Sequence, residues 1–150
     1  MKTTPLLWVL ALGSGALIPV QAAANAALSR TLHDNVPFAA LTLFVVASAV
    51  SIVAVLVTGS SMPPLDELLA APWWSYVGGV IVAGYVLTIT FLAPRLGVGT
   101  AIALIVTGQV VAALTIDHFG LMRSLTFALT PSRAIGATMM IAGAFLALRR

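Results

Sequence analysis

Pro37 to Val57 reads PFAALTLFVVASAVSIVAVLV, 21 residues without a charge. A helix rising ~1.5 Å per residue needs ~20 apolar residues to cross ~30 Å of hydrocarbon, so this stretch predicts a membrane span. Asn35 is placed to cap it, Pro37 falls in its first turn, and Thr58-Gly-Ser-Ser61 ends it.

Four further apolar segments flank this one. They run from about Pro5 to Ser29, Trp74 to Leu92, Gly99 to Ile116 and Arg133 to Leu148. The whole chain is 61% hydrophobic and 7% charged, with mean hydropathy +1.12. A soluble domain carries about 25% charged residues, so no water-facing surface can be built from this composition. The segments are too long for barrel strands of ~10 alternating residues. The expectation is an all-α integral membrane protein, a single transmembrane domain over residues 1–150 with five spans, in an inner or plasma membrane.

Between the spans lie short polar connections. Arg30-Thr-Leu-His-Asp-Asn35 is a turn, and Ala93-Pro-Arg-Leu-Gly97 is another, too short for anything but antiparallel neighbours. In the longest connection, Met62 to Pro72, Pro64 followed by Asp66 and Glu67 suits a short helix at the membrane surface. Trp73, Trp74 and Tyr76 belong at the headgroup level. Leu121–Thr130 is apolar but too short to cross, and either extends the fourth helix or lies at the interface. Lys2, an apolar run and Val20-Gln-Ala-Ala-Ala-Asn-Ala also resemble a signal peptide. The length of that run, its single preceding cation and the presence of Gly13, Gly15 and Pro19 favour a span instead.

Charge leaves the chain without an orientation. If all five segments cross, Lys2, Arg123 and Arg133 collect on one side, and Arg30, Arg95, Arg149 and Arg150 on the other. Orientation is normally set by an excess of Lys and Arg in cytoplasmic loops; three against four gives none once the N-terminal amine is counted. Insertion in both directions is expected, with an antiparallel homodimer as the working unit. The scattered cations are interfacial anchors rather than a nucleic-acid footprint.

Polar residues inside the spans are the candidate site. Ser14, Ile18, Gln21 and Asn25 recur on one face of the first helix, and Pro19 frees a carbonyl near Gly15, where the helix is expected to break. Gln109 is the deepest strongly polar side chain. An amide in hydrocarbon needs a partner, so Gln21, Asn25 and Gln109 either bind a solute or join helices. Asp117 and His118 either couple and gate or form a solvated helix end. Gly78, Gly79, Gly84, Gly136 and Gly143 permit close helix packing. No carboxylate sits at mid-depth, which argues against a simple proton-coupled exporter of cations and for a neutral or zwitterionic solute. No nucleophile elbow, phosphate loop or metal-ligand cluster appears, so neither an enzyme nor a cofactor is expected.

An ordered set of motifs carries a family resemblance over nearly the whole chain. Gly15-Ala-Leu-Ile-Pro-Val-Gln21, Asn25-Ala-Ala-Leu28, Pro37, Trp74 to Gly79, Ala93-Pro-Arg-Leu-Gly97, Gly108-Gln109 and Ile116-Asp-His-Phe-Gly120 resemble the YdcZ-type family of the drug/metabolite transporter superfamily. The resemblance implies five spans per chain, in single chains, oppositely oriented pairs or fused proteins, and supplies no substrate. The reading it favours is a transporter of a small organic solute, working as an antiparallel homodimer by alternating access. A channel and a non-transporting assembly subunit are the alternatives.

Overall fold

The computed structural model describes residues 5–147, so Lys2, Leu148, Arg149 and Arg150 lie outside it. The described residues form six α-helices and no strand. They are α1 (Pro5–Thr31), α2 (Val36–Thr58), α3 (Leu65–Ala70), α4 (Val77–Leu96), α5 (Val98–Phe119) and α6 (Pro131–Ala147). Four helical stretches are long and apolar enough to cross a membrane: 27 residues in α1, 23 in α2, 24 from Trp73 to Leu96 and 22 in α5. At ~1.5 Å per residue the shortest of them reaches ~33 Å. α6 has 17 residues and is not among these four.

Packing divides the chain into two compact units, one up to Arg95 and one from Leu96. In the first unit, Asn35 caps α2 as expected: its Oδ1 accepts the Phe38 N–H at 3.1 Å, with Pro37 in the first turn. The turn before it places His33 and Asp34 at positive φ, 55° and 62°, residue types that tolerate the left-handed region. α2 ends at Gly59, whose φ of 62° is left-handed and whose N–H reaches the Leu56 carbonyl. α3 forms where Pro64, Asp66 and Glu67 predict it, and Tyr76 donates its hydroxyl proton to the Leu68 carbonyl, tying α3 to the turn that opens α4.

The core of this unit sits at the end where α1 turns into α2. α1 buries Ala22, Asn25, Ala26 and Ser29; α4 buries Val86, Ile89, Thr90 and Ala93; α2 buries Ala39 and Ala40. Both four-residue sets follow the i, i+3, i+4, i+7 spacing of one helical face. Val36 and Pro37 border the same recess as Leu87, Thr88, Phe91 and Leu92, which brings the second half of α4 to the start of α2. Leu6 to Leu12 and Val50 to Val57 remain uncovered by protein, as lipid-facing surface does.

Two helix boundaries differ from expectation. α1 does not break at Gly15 or Pro19 but runs through both. Proline removes one hydrogen bond, to the carbonyl of Gly15, and in a long helix the bonds on either side hold the register. Similarly, α4 continues through Ala93, Pro94 and Arg95, so the turn before α5 shrinks to Gly97 at φ 84°. The Arg95 guanidinium stabilises this last turn: Nη1 donates to the Phe91 carbonyl at 2.6 Å, and the group stacks 3.6 Å above the Phe91 ring.

In the second unit α5 and α6 pack together. Leu121–Thr130 neither extends α5 nor forms a helix across it. Gly120, at φ 59°, ends α5; Leu121–Arg123 makes one 3₁₀ turn; the chain then folds back so that the Phe127 N–H donates to the Asp117 carbonyl at 2.9 Å.

Candidate functional site

Of the face expected on α1, protein covers only the lower half. Ser14 and Ile18 are exposed, Gln21 is half-buried, and Asn25 is 6% exposed. The Asn25 Nδ2 is buried without a hydrogen-bond partner, a condition it shares with the Thr90 hydroxyl. Thr90 is fully buried and still does not bond back to its own helix. Thr42, Ser51, Thr107, Thr115 and Thr138 all donate to the carbonyl four residues back. Between α1 and α2, Ala24, Asn25, Leu28, Thr42, Leu43 and Val46 border an open groove of about 360 Å³. Thr42 drew no notice in the sequence, because a threonine in a helix reads as ordinary back-bonding; only the neighbouring Asn25 gives it a setting.

Gln109 lies ten residues from the end of α5, ~15 Å from that end and ~17 Å from the other. It is exposed and takes part in no hydrogen bond among the described residues. Gln21 stands ten residues from the end of α1, also ~15 Å in. Gln21 and Asn25 are thus brought together on one helix, while Gln109 belongs to the other unit.

At the end of α5 the structure assembles a group that local sequence patterns miss. Asp117 Oδ2 accepts from Arg133 Nη2 at 2.5 Å, and Arg133 Nη1 donates to the Phe127 carbonyl at 2.9 Å. His118 Nδ1 accepts the Leu129 N–H at 3.1 Å, and the Ser124 hydroxyl donates to the Ile116 carbonyl at 3.4 Å. An acceptor Nδ1 places the proton of the neutral ring on Nε2. Asp117 and His118 therefore hold the returning chain against α5. The only hint in the sequence was an Asp-His pair before a glycine, with its arginine 16 residues away.

The five glycines expected at helix contacts have open space beside them among the described residues. A methyl group at Gly78, Gly79, Gly84, Gly136 or Gly143 would have no neighbour within 4 Å. Close approach among the described residues falls to alanines instead: Ala22, Ala26, Ala39, Ala40, Ala93 and Ala101 are all buried.

Over residues 6–146 the chain matches the family model described as "Putative inner membrane exporter, YdcZ". The chain belongs to the YdcZ family. Its matched region takes in α1 with Gln21 and Asn25, the groove, Gln109 and the Asp117–Arg133 pair. No curated protein and no solved structure matches the chain. With four apolar helices of spanning length, this YdcZ-family protein is a multi-pass protein of the inner membrane. Membership of an exporter family fits transport rather than enzyme chemistry.

Proposed function

We propose that the protein moves a small organic solute across the inner membrane as an antiparallel homodimer, by alternating access. Gln109 carries this reading. A carboxamide uncovered at mid-depth in a spanning helix costs several kcal/mol in hydrocarbon, so a second copy, a water-filled cavity or a solute must meet it. Gln21, Asn25 and Gln109 of both copies line the site in this account. The near-even split of cations supports two orientations, and Leu121–Thr130 returning to α5 supports the count on which the split depends. α6, ~26 Å long over 17 residues, serves as the fifth span and is anchored at its start by Arg133. The two copies supply the inverted repeats that many transporters carry in one chain. Rocking one subunit against the other exchanges outward and inward states, with Asp117 and His118 holding the gate segment.

A thermal-shift screen of small neutral and zwitterionic solutes tests the site. A ligand that stabilises the parent but not Gln21→Ala or Gln109→Leu supports it, and counterflow of that ligand in liposomes supports a carrier. Flux without counterflow would indicate a channel. Variants that alter only dimer yield would indicate an assembly subunit.

A further inference from the structure

We propose that His118 is an acid-released latch: its neutral ring holds the chain that returns from α5 to α6, and protonation frees the Leu129 end of that chain.

The return is fastened at four places. The Phe127 N–H donates to the Asp117 carbonyl at 2.9 Å, the Ser124 hydroxyl to the Ile116 carbonyl at 3.4 Å, and Arg133 Nη1 to the Phe127 carbonyl at 2.9 Å. Backbone, hydroxyl and guanidinium donors make these three, and none of them exchanges its charge between pH 5 and 8. The fourth is different. The Leu129 N–H donates to His118 Nδ1 at 3.1 Å. That bond needs the Nδ1 lone pair, which an imidazolium lacks because both of its nitrogens carry protons. On protonation two N–H groups would point at each other. The bond is therefore present while the ring is neutral and is lost as the pH falls.

The protonated ring has a place of its own. His118 lies in the last turn of α5, where the helix dipole and the unpartnered end carbonyls favour a cation. One side chain thus serves two states, neutral as an acceptor for the return and charged as a donor at the helix end. The charged groups packed here are Asp117 of α5 and Arg133 of α6, paired with each other. Residues 124–130 carry no charge, and Arg123 precedes them in the 3₁₀ turn.

The released piece is short. His118 and Leu129 border one recess of about 350 Å³ with Val111, Leu114, Thr115 and Phe119. Loss of the bond lets Leu129 leave this recess, while the Phe127 bond keeps the preceding residues on α5. Thr130 still caps α6, accepting the Arg133 N–H on its hydroxyl at 3.3 Å and the Ala134 N–H on its carbonyl at 3.0 Å. Leu129 therefore moves between two fixed points. In an antiparallel pair one latch faces each compartment, so a proton gradient releases the copy on the acid side and holds the other. That consequence rests on the dimer proposed above; the latch itself does not.

Amide exchange of the full chain in detergent micelles, followed by NMR and corrected for the intrinsic effect of pH, tests the latch. From pH 8 to pH 5 the protection of the Leu129 N–H should fall roughly two- to tenfold, the range that one net hydrogen bond supplies, with Phe127 unchanged. His118→Asn puts a non-titrating acceptor near the position of Nδ1 and should keep Leu129 protected at both pH values. His118→Leu removes the acceptor and should leave protection low at both. In the parent, the ring nitrogens should show an unprotonated Nδ1 at pH 8, a measurement that stands even if the variants fold poorly. A protonated Nδ1 at pH 8, or Leu129 protection indifferent to pH, overturns the proposal. So does a pH response that survives in His118→Leu, which would belong to His33 or another group, and so does a loss of Phe127 protection together with that of Leu129. The carrier reading fails separately: exchange as expected with no counterflow in liposomes leaves a latch without transport, and counterflow with pH-indifferent exchange leaves a carrier without this latch.

Discussion

Arg133 Nη2 sits 2.5 Å from Asp117 Oδ2, joining the first turn of α6 to the last turn of α5. Each residue is poorly placed alone. A cation near a helix N-terminus and an anion near a C-terminus both oppose the helix dipole, by ~0.3–1 kcal/mol each. Pairing removes both conflicts, and the guanidinium also holds the Phe127 carbonyl at 2.9 Å. About a third of each side chain remains exposed, so the pair is screened and its value stays near that of surface ion pairs.

A double-mutant cycle with Asp117→Asn and Arg133→Gln should therefore give a coupling of about 0.5–1 kcal/mol by unfolding in mixed micelles. The Phe127 N–H should exchange faster with solvent in either single variant. Zero coupling with unchanged exchange would show that the returning chain does not depend on the pair.

Gly120 and Gly59 both end helices at positive φ, 59° and 62°, but their surroundings differ. Gly59→Ala meets open space and should cost only the left-handed backbone penalty of ~1 kcal/mol. Gly120→Ala places its methyl 2.6 Å from the Thr126 hydroxyl and should cost more. In a Thr126→Ala background the excess should vanish, which thermal melts of the four proteins would show.

Asn35→Ala removes the cap of α2 and should cost ~1 kcal/mol, with faster exchange at the Phe38 N–H. Asn35→Ser should restore most of it.

Gly84→Ala, Gly136→Ala and Gly143→Ala have room within the protomer. Since alanine is also the better helix former, by ~1 kcal/mol, the protomer should fold unchanged. If these glycines meet a second copy, the dimer fraction in detergent should fall with each substitution. A dimer fraction unaffected by all three would place the contact on other faces.

Four of the five expected spans were legible because each is written as a long apolar run, and the α2 cap because Asn35 and Pro37 act within a single turn. The ends of α4 and α5 were not. Pro94 reads as a stop, yet it removes only the bond to the Thr90 carbonyl, and Arg95 reinforces the turn from Phe91. The path of Leu121–Thr130 depends on Asp117 meeting Arg133 and on His118 meeting Leu129, contacts spanning 16 and 11 residues that no periodicity reveals. Within the candidate site, Gln21, Asn25 and Gln109 announced themselves by residue type. The groove did not, because Leu28, Thr42 and Val46 are ordinary residues until two helices lie side by side.

Two orientations of one chain are the central claim, and the absence of cysteine makes them directly measurable. Ser61→Cys adds a single thiol in the exposed connection after α2. It is treated in native membranes with a membrane-impermeant maleimide, then with a permeant one. The account predicts that about half of the molecules react in the first step and the remainder only in the second. Complete labelling in one step, with none in the other, would contradict it.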